Sequence, residues 1–537
     1  MEFLFLTVPA HHTAKNDAVI LNARQLKHWL DALPVMDVIK TVESLHAAIE
    51  PFNELHMPDD ERLKLLEIYY VIMDEILFSY DDMRITMLPI SIEERRSIKN
   101  DIMWLYLSLA NGYKSIVKSG FDNKLRPAKN TTLLISIYRS MELIVQAMLY
   151  AFRSHETPPP LSYLEINQLY MYAEFHHVLD TRIKNINSGH HSTINSLYKQ
   201  ILLLVASDPY RVNSNELIEI YFFLEKFSAL CVIEKSVGCK NEEGKYLIDL
   251  MEDNPPQLYE YTENPETLLS HRTIDVWPVV QAFGEELSGE YNLDNHETDK
   301  SNSGQFSLSN SAMEQRFVEI LTQQLMGKKT REYERLPAIS KCHVAIGLSA
   351  INFYLTNKNR IKEITEPEKT EGMTVTSIDI EEQADFSLDV WQLCDMSESG
   401  FLLAIKKSML TQELIIGDVV VIITNDAEGH TFIQVAFVRW VRGDNDVFKM
   451  GVELIKGAVT PVVCQCVGDS QSYDGLYFSF KEDQGLQPCI LIEKGLLLQS
   501  SKINMILNGR MITIEYSSTV AETSLYSQFN YLKVRSK

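Results

Sequence analysis

The sequence predicts a multidomain α + β protein, with an all-α helical domain over residues 1–240 and a C-terminal antiparallel β-barrel joined to an additional β unit. Three observations predict it. From Leu21 to Val232 apolar residues return at helical spacing. From Val390 onward the period falls to two, with β-branched and aromatic runs separated by turn residues. Between the two regions lie an acidic stretch and a run of small polar residues with the composition of a linker. At 537 residues and about 150 residues per domain, the chain has room for three or four domains.

The first residues, Met1 to Val8, are apolar, but Glu2 stands where a signal peptide carries basic residues and Pro9 cuts the run short. A strand or an arm packed on the core is expected there. Leu65, Ile68, Tyr69, Ile72, Met73 and Ile76 fall on one helix face. Pro58 followed by Asp59 and Asp60 suits a first helical turn, where proline loses no hydrogen bond and acids meet the positive helix end. Ser91 with Glu94, and Ser162 with Glu165, fit the reciprocal capping box. With breaks at Pro51, Pro89, Gly120 and Pro158-Pro159-Pro160, roughly seven or eight helices result. No 34-residue self-similarity marks a helical repeat.

Residues 241–294 form an acidic extension with short strands. Lys245 to Lys300 holds 13 acidic against three basic residues, and Tyr246 to Leu250 and Thr273 to Trp277 have strand length. Residues 295–311 read as a flexible linker, and the main boundary is placed there. Residues 312–470 then form the barrel. It opens with an amphipathic helix at Ala312 to Met326, and Lys341 to Leu355 supplies a first strand. Val390 to Asp395, Phe401 to Ile405, Val419 to Thr424, Thr431 to Trp440 and Val447 to Leu454 follow as strands. Residues 357–388 are an acidic insertion. Residues 471–537 form the additional β unit, where Asn508-Gly509 between two apolar runs signals a type I′ hairpin turn.

Fifty basic against 73 acidic residues leave a net charge of −23, so most of the surface repels nucleic acid polymers and anionic membranes. Any anion bound needs a local basic site. No uninterrupted apolar run approaches the ~20 residues that span a bilayer, so no membrane insertion is expected. Seven scattered cysteines argue against a disulfide framework and for a cytoplasmic location. The pairs His11-His12, His176-His177 and His190-His191 lack partners at ligand spacing, and Cys464 and Cys466 suit small core residues, so no metal site is expected. Nucleophile-elbow, Walker, dinucleotide and zinc-protease motifs are absent, and acid pairs such as Asp81-Asp82 suit solvated faces. A binding protein is expected, not an enzyme.

One basic island stands out in this acidic chain: Lys328, Lys329, Arg331 and Arg335. Two guanidiniums four positions apart can point the same way on a helical turn, and each fork can grip a phosphate or the O6/N7 edge of guanine. Downstream, Asp395-Met-Ser397-Glu-Ser-Gly400 closes one strand and opens another. Asp395 offers a carboxylate for the guanine N1 and N2 protons, Ser397 a hydroxyl, and Gly400 close backbone approach. Arg439 and Arg442 flank Trp440 and read as solvated arginines beside a packed indole.

The order Arg-x-x-x-Arg, Asp-x-Ser-x-x-Gly, then antiparallel strands ending in Gly451-Val-Glu-Leu454 resembles the PilZ domain over about Gly327 to Cys466. The resemblance implies a PilZ-like barrel that binds cyclic di-GMP through Arg331, Arg335, Asp395, Ser397 and Gly400, with no other cofactor. It also implies a receptor whose interdomain arrangement and contact with a protein partner, through the helical domain, change on binding. Motility, pilus or biofilm control are the outputs it implies. The 59 residues between Arg335 and Asp395 exceed the spacing in ordinary PilZ domains. A protein–protein adaptor with a degenerate, non-binding barrel is the alternative.

Overall fold

The computed structural model describes residues 3–12, 19–80, 85, 88–184, 191–235, 244–258, 269–288, 311–325, 333–356, 386–425, 430–455, 457–467, 471–482, 485–494, 496, 502–507, 509–523 and 525–534. The linker at 295–310, the insertion through residue 385 and the basic positions Lys328, Lys329 and Arg331 lie outside these. The chain divides into two compact units: Met1–Pro209 with Ser214–Lys329, and Tyr210–Asn213 with Thr330–Lys537.

Among the described residues the first unit begins with eight α-helices: α1 (Ala23–Asp31), α2 (Val38–Asn53), α3 (Asp59–Ser79), α4 (Ile92–Asp122), α5 (Thr131–Arg153), α6 (Ser162–Phe175), α7 (Ile194–Ala206) and α8 (Ser214–Glu225). The strands β1 (Ile183–Lys184) and β2 (His191–Ser192) pair between α6 and α7. Ser91 and Glu94 cap α4 reciprocally as expected.

Within these helices three sequence expectations need correction. Pro51 sits in the last turn of α2, which runs only two residues past it. Gly120 lies inside α4, where a Cβ would stand 2.7 Å from the Leu133 side chain; its role is close helix packing. Glu165 does not cap α6, whose N-cap residue Leu161 makes no side-chain cap bond. Glu165 is instead buried against Lys114 of α4: the Lys114 Nζ donates to Glu165 Oε2 at 2.7 Å, to Oε1 at 2.9 Å and to Thr7 Oγ1 at 2.8 Å. The Thr7 backbone N–H donates to the same carboxylate at 2.6 Å, so a buried ion pair clamps the extended N-terminal arm, with Leu4 and Leu6 also buried.

α5 is, by length and composition, apolar enough to cross a membrane; 78% of its most apolar window is buried inside the unit. It also carries Arg139, whose Nη1 donates to Glu142 at 2.6 Å and whose guanidinium stacks 3.9 Å from the Tyr70 ring centroid. Burial pushes the Glu142 carboxyl above its usual range despite that partner.

The acidic region contributes a four-stranded sheet of order β3-β6-β4-β5, made of β3 (Val232–Lys235), β4 (Lys245–Asp249), β5 (Gln257–Leu258) and β6 (His271–Asp275). Helices α9 (Trp277–Ser288) and α10 (Ser311–Leu325) follow. The sequence places residues 312–326 with the barrel, but α10 packs in the first unit. Phe317 meets Phe223 at 6.0 Å, Arg316 pairs with Glu216 at 2.9 Å, and the Tyr246 hydroxyl donates to Leu325 O at 3.1 Å.

The second unit holds two closed six-stranded antiparallel barrels. The first comprises β7 (Leu336–Ile346), β8 (Asp389–Met396), β9 (Gly400–Lys406), β10 (Val419–Asn425), β11 (Thr431–Asp444) and β12 (Val447–Leu454), with α11 (Leu348–Thr356) after β7. The expected strand at Lys341 to Leu355 is thus the end of β7 plus a helix, because Gly347 at φ 93° ends the extended run. The second comprises β13 (Ala458–Cys466), β14 (Ser472–Glu482), β15 (Gly485–Glu493), β16 (Lys502–Leu507), β17 (Arg510–Glu522) and β18 (Tyr526–Lys533). Residues 458–466, read from sequence as the end of the first barrel, pair with β14 and β16 and begin the second.

Shifting each strand number by six maps every pairing of the first barrel onto one of the second. The two are the same topology in tandem. β10 explains why its sequence does not alternate. Val420 and Ile422 fill the first barrel, while Val419, Val421 and Ile423 join Val435, Phe437 and α11 against Leu476, Phe478, Cys489 and Leu491 of the second. Cys464 and Cys466 are core residues of the second barrel, and no disulfide joins any of the six described cysteines.

A buried polar contact crosses this shared core: the Tyr526 hydroxyl donates to Asp418 Oδ1 at 3.1 Å, and Val419 N–H donates to the same oxygen at 2.7 Å. Burial raises the Asp418 pKa to about 6, against the pull of those two donors. The native state therefore holds a proton that the unfolded chain has released, between about pH 4 and 6. Stability from this group is present at low pH and lost as pH rises through 6. In urea unfolding, wild type should gain up to about 3 kcal/mol relative to Asp418→Asn between pH 7 and pH 4. Parallel pH profiles for the two would refute the assignment.

Candidate functional site

The site is built where β7 enters the first barrel and where β8 turns into β9. Pairing of Leu336 with Met396 and of Pro337 with Asp395 carries the residue just before β7, Arg335, to the end of β8. Arg335 Nη1 donates to Asp395 Oδ2 at 3.0 Å and to Oδ1 at 3.2 Å. Two motifs separated by 59 residues thus meet side chain to side chain. The pair is partly exposed, 33% for Arg335 and 21% for Asp395, and pairs of this kind contribute roughly 0–1 kcal/mol. A stronger anion can displace the carboxylate at small cost.

Each strand is bulged near the site, in β7 between Pro337 and Ser340 and in β8 between Leu393 and Asp395. The extra residue Cys394 lets Asp395 pair with Leu402 on the outer barrel face, while Trp391 and Leu393 keep to the core. Ser397 is not on the strand with Asp395 as the spacing predicts; β8 ends at Met396 and Ser397 begins the turn. Its N–H donates to Gly400 O at 2.9 Å, its hydroxyl donates to the same oxygen at 3.2 Å, and Ser399 Oγ lies 3.3 Å away.

Gly400 does allow close backbone approach, but to the barrel itself: a Cβ there would stand 2.1 Å from Val452 O. On the other flank, Leu454 N–H donates to Ser399 O at 2.9 Å, tying the turn to the end of β12. The structure therefore brings Arg335, Asp395, Ser397 and Gly400 together, and Arg331 lies outside the described residues. The bulges and the tie to Leu454 were missed from sequence, because neither has a local residue signature. Among the described residues no cluster of potential metal ligands occurs.

Comparison with known proteins extends this picture to the helical half. The family model described as "Cyclic-di-GMP receptor FimW, N-terminal domain" matches residues 24–237, and the one described as "Cyclic-di-GMP receptor FimW, middle PilZ domain" matches residues 246–389. The chain belongs to the PilZ-domain cyclic-di-GMP receptor family. A curated relative, the Pseudomonas aeruginosa protein named cyclic-di-GMP receptor FimW, is 21% identical over 374 residues, or 69% of this chain. The chain spans 60% of the length of that relative. Membership in this PilZ family is thus not confined to the C-terminal part, where the sequence motifs alone had located it. The PilZ match begins in the four-stranded sheet and ends at Asp389, the first residue of β8. It contains Arg331 and Arg335 and stops short of Asp395, Ser397 and Gly400.

Proposed function

We propose that this chain is a cyclic di-GMP receptor, a binding protein and not an enzyme, that grips the nucleotide at the mouth of its first barrel. The observation that carries the reading is the Arg335–Asp395 pair, which joins the two motifs despite the long insertion. Arg331 and Arg335 would hold phosphate and the guanine O6/N7 edge, Asp395 would accept the N1 and N2 protons of guanine, and the Ser397–Gly400 turn would line the pocket. The name of the P. aeruginosa relative supports the same ligand.

In this reading the nucleotide takes Arg335 from Asp395, so the carboxylate is released to the base as the guanidinium turns to the phosphate. The output would be a changed interdomain arrangement and a changed contact between the helical unit and a protein partner, acting in the cytoplasm in motility, pilus or biofilm control. The alternative, an adaptor with a non-binding barrel, is favoured only by the fact that Arg335 and Asp395 already satisfy each other.

Isothermal titration of cyclic di-GMP into the full chain separates the two. Heat is expected from wild type and none from Arg331→Ala/Arg335→Ala. Silence from both would favour the adaptor.

A further inference from the structure

We propose that the nucleotide site continues across the barrel exterior to a second guanidinium, Arg439, oriented by Glu453, with the Trp440 indole as a flat floor between it and Asp395. This rests on the cyclic di-GMP reading above and names residues that neither motif contains. The strand registers set the geometry. In β9, Phe401, Leu403 and Ile405 fill the core, so Gly400 and Leu402 face outward. In β12, Phe448, Met450 and Val452 fill it, leaving Gly451 and Glu453 outside. Glu453 stands opposite Gly400, and Leu402 stands between Asp395 and Gly451.

β11 then departs from strict alternation. It is bulged between Val438 and Trp440, and Val438 and Val441 both lie in the core, so the two residues between them both face outward. A regular strand would have sent one of the two inward. The Trp440 indole folds back over Gly451, where a Cβ would stand 1.9 Å from Nε1; only glycine fits beneath the ring. The ring is thus about two strand spacings, ~10 Å, from Asp395. Arg439 Nε donates to Glu453 Oε2 at 2.7 Å, and the guanidinium lies 5.2 Å from the Phe437 ring centroid. It is 39% exposed.

The Ser397–Gly400 turn is therefore flanked by two guanidiniums, each held by a carboxylate: Arg335 with Asp395, and Arg439 with Glu453. A cyclic dinucleotide presents two phosphates and two purines. One cluster of donors grips one half of such a ligand; the second fork, with an indole face for a base to stack on, supplies the other.

The test is isothermal titration of cyclic di-GMP into the full chain. Arg439→Ala should weaken binding about tenfold or more, whereas Glu453→Gln, whose amide oxygen still accepts from the fork, should weaken it by no more than about threefold. Circular dichroism checks the fold. Should Arg439→Ala not fold, Arg439→Lys carries the same expectation, since lysine keeps the charge and loses the fork. Equal losses in the Arg439 and Glu453 variants would mean that the pair serves only the barrel. Unchanged affinity in Arg439→Ala would mean that it does not touch the ligand. Either result overturns the proposal while wild-type binding leaves the receptor reading standing; no heat from wild type overturns both. The tryptophan fluorescence change on titration should vanish in Trp440→Phe, and a change of full size there would remove the indole from the site.

Discussion

Lys114→Ala should destabilise the helical unit by about 3–5 kcal/mol in urea unfolding of the full chain, because it strands the Glu165 carboxylate in the interior. Both side chains are almost fully covered, at 2% and 4% exposure, and burial lowers the Lys114 pKa even with Glu165 beside it. The two Thr7 donors do not replace an ammonium. The double change Lys114→Met/Glu165→Leu removes both charges together and should recover most of the loss, since apolar pairs of similar volume often match a buried ion pair. A loss below about 1 kcal/mol in the single variant would mean that water reaches the carboxylate. The N-terminal arm should loosen with it, read as faster amide exchange at Phe5 and Thr7, whose N–H groups bond to Gln168 and Glu165.

The second large effect is expected at Gly400. A methyl group there collides with a backbone carbonyl, Val452 O, which cannot rotate away as a side-chain end would. Gly400→Ala must push β9 from β12 at the point where the turn carries Ser397 and Ser399. A cost of about 1–3 kcal/mol or more is expected for the barrels, with cyclic di-GMP titration heat lost or strongly reduced. Gly284 in α9 is the control: a Cβ there meets nothing within 4 Å, and alanine should be neutral or stabilising. Equal behaviour of the two substitutions would show that the β9–β12 spacing yields easily.

The parts of the fold legible in the sequence were those set by neighbours along the chain. The capping box of Ser91 and Glu94, the start of α3 after Pro58, and the hairpin with Leu507 opposite Arg510 and Gly509 at φ 75° depend on residues within a turn of one another. The misread positions depend on distant partners. Glu165 has the spacing of a cap and is taken by Lys114, 51 residues away. Gly120 looks like a helix breaker and is a contact for Leu133. α10 adjoins the linker in sequence, yet its Phe317 completes an aromatic cluster with Phe223.

The site shows the same division. Arg335 and Asp395 were visible as residue types at telling positions, and the structure supplies their ion pair. Arg439 and Trp440 looked like two ordinary neighbours on a strand, one in and one out. Only the bulge, which leaves no mark in the residue types, turns both to the same side. The tandem repetition of barrel topology was hidden likewise, since pairing order is a property of the backbone and the two halves differ in their side chains.

Because the outer faces of β10 and of β11 up to Phe437 are apolar like the inner ones, the first barrel has no finished exterior on that side. A chain ending near Gly457 would present Val421, Ile423, Val435 and Phe437 to water, and would be a sticky fragment and not a portable sensor.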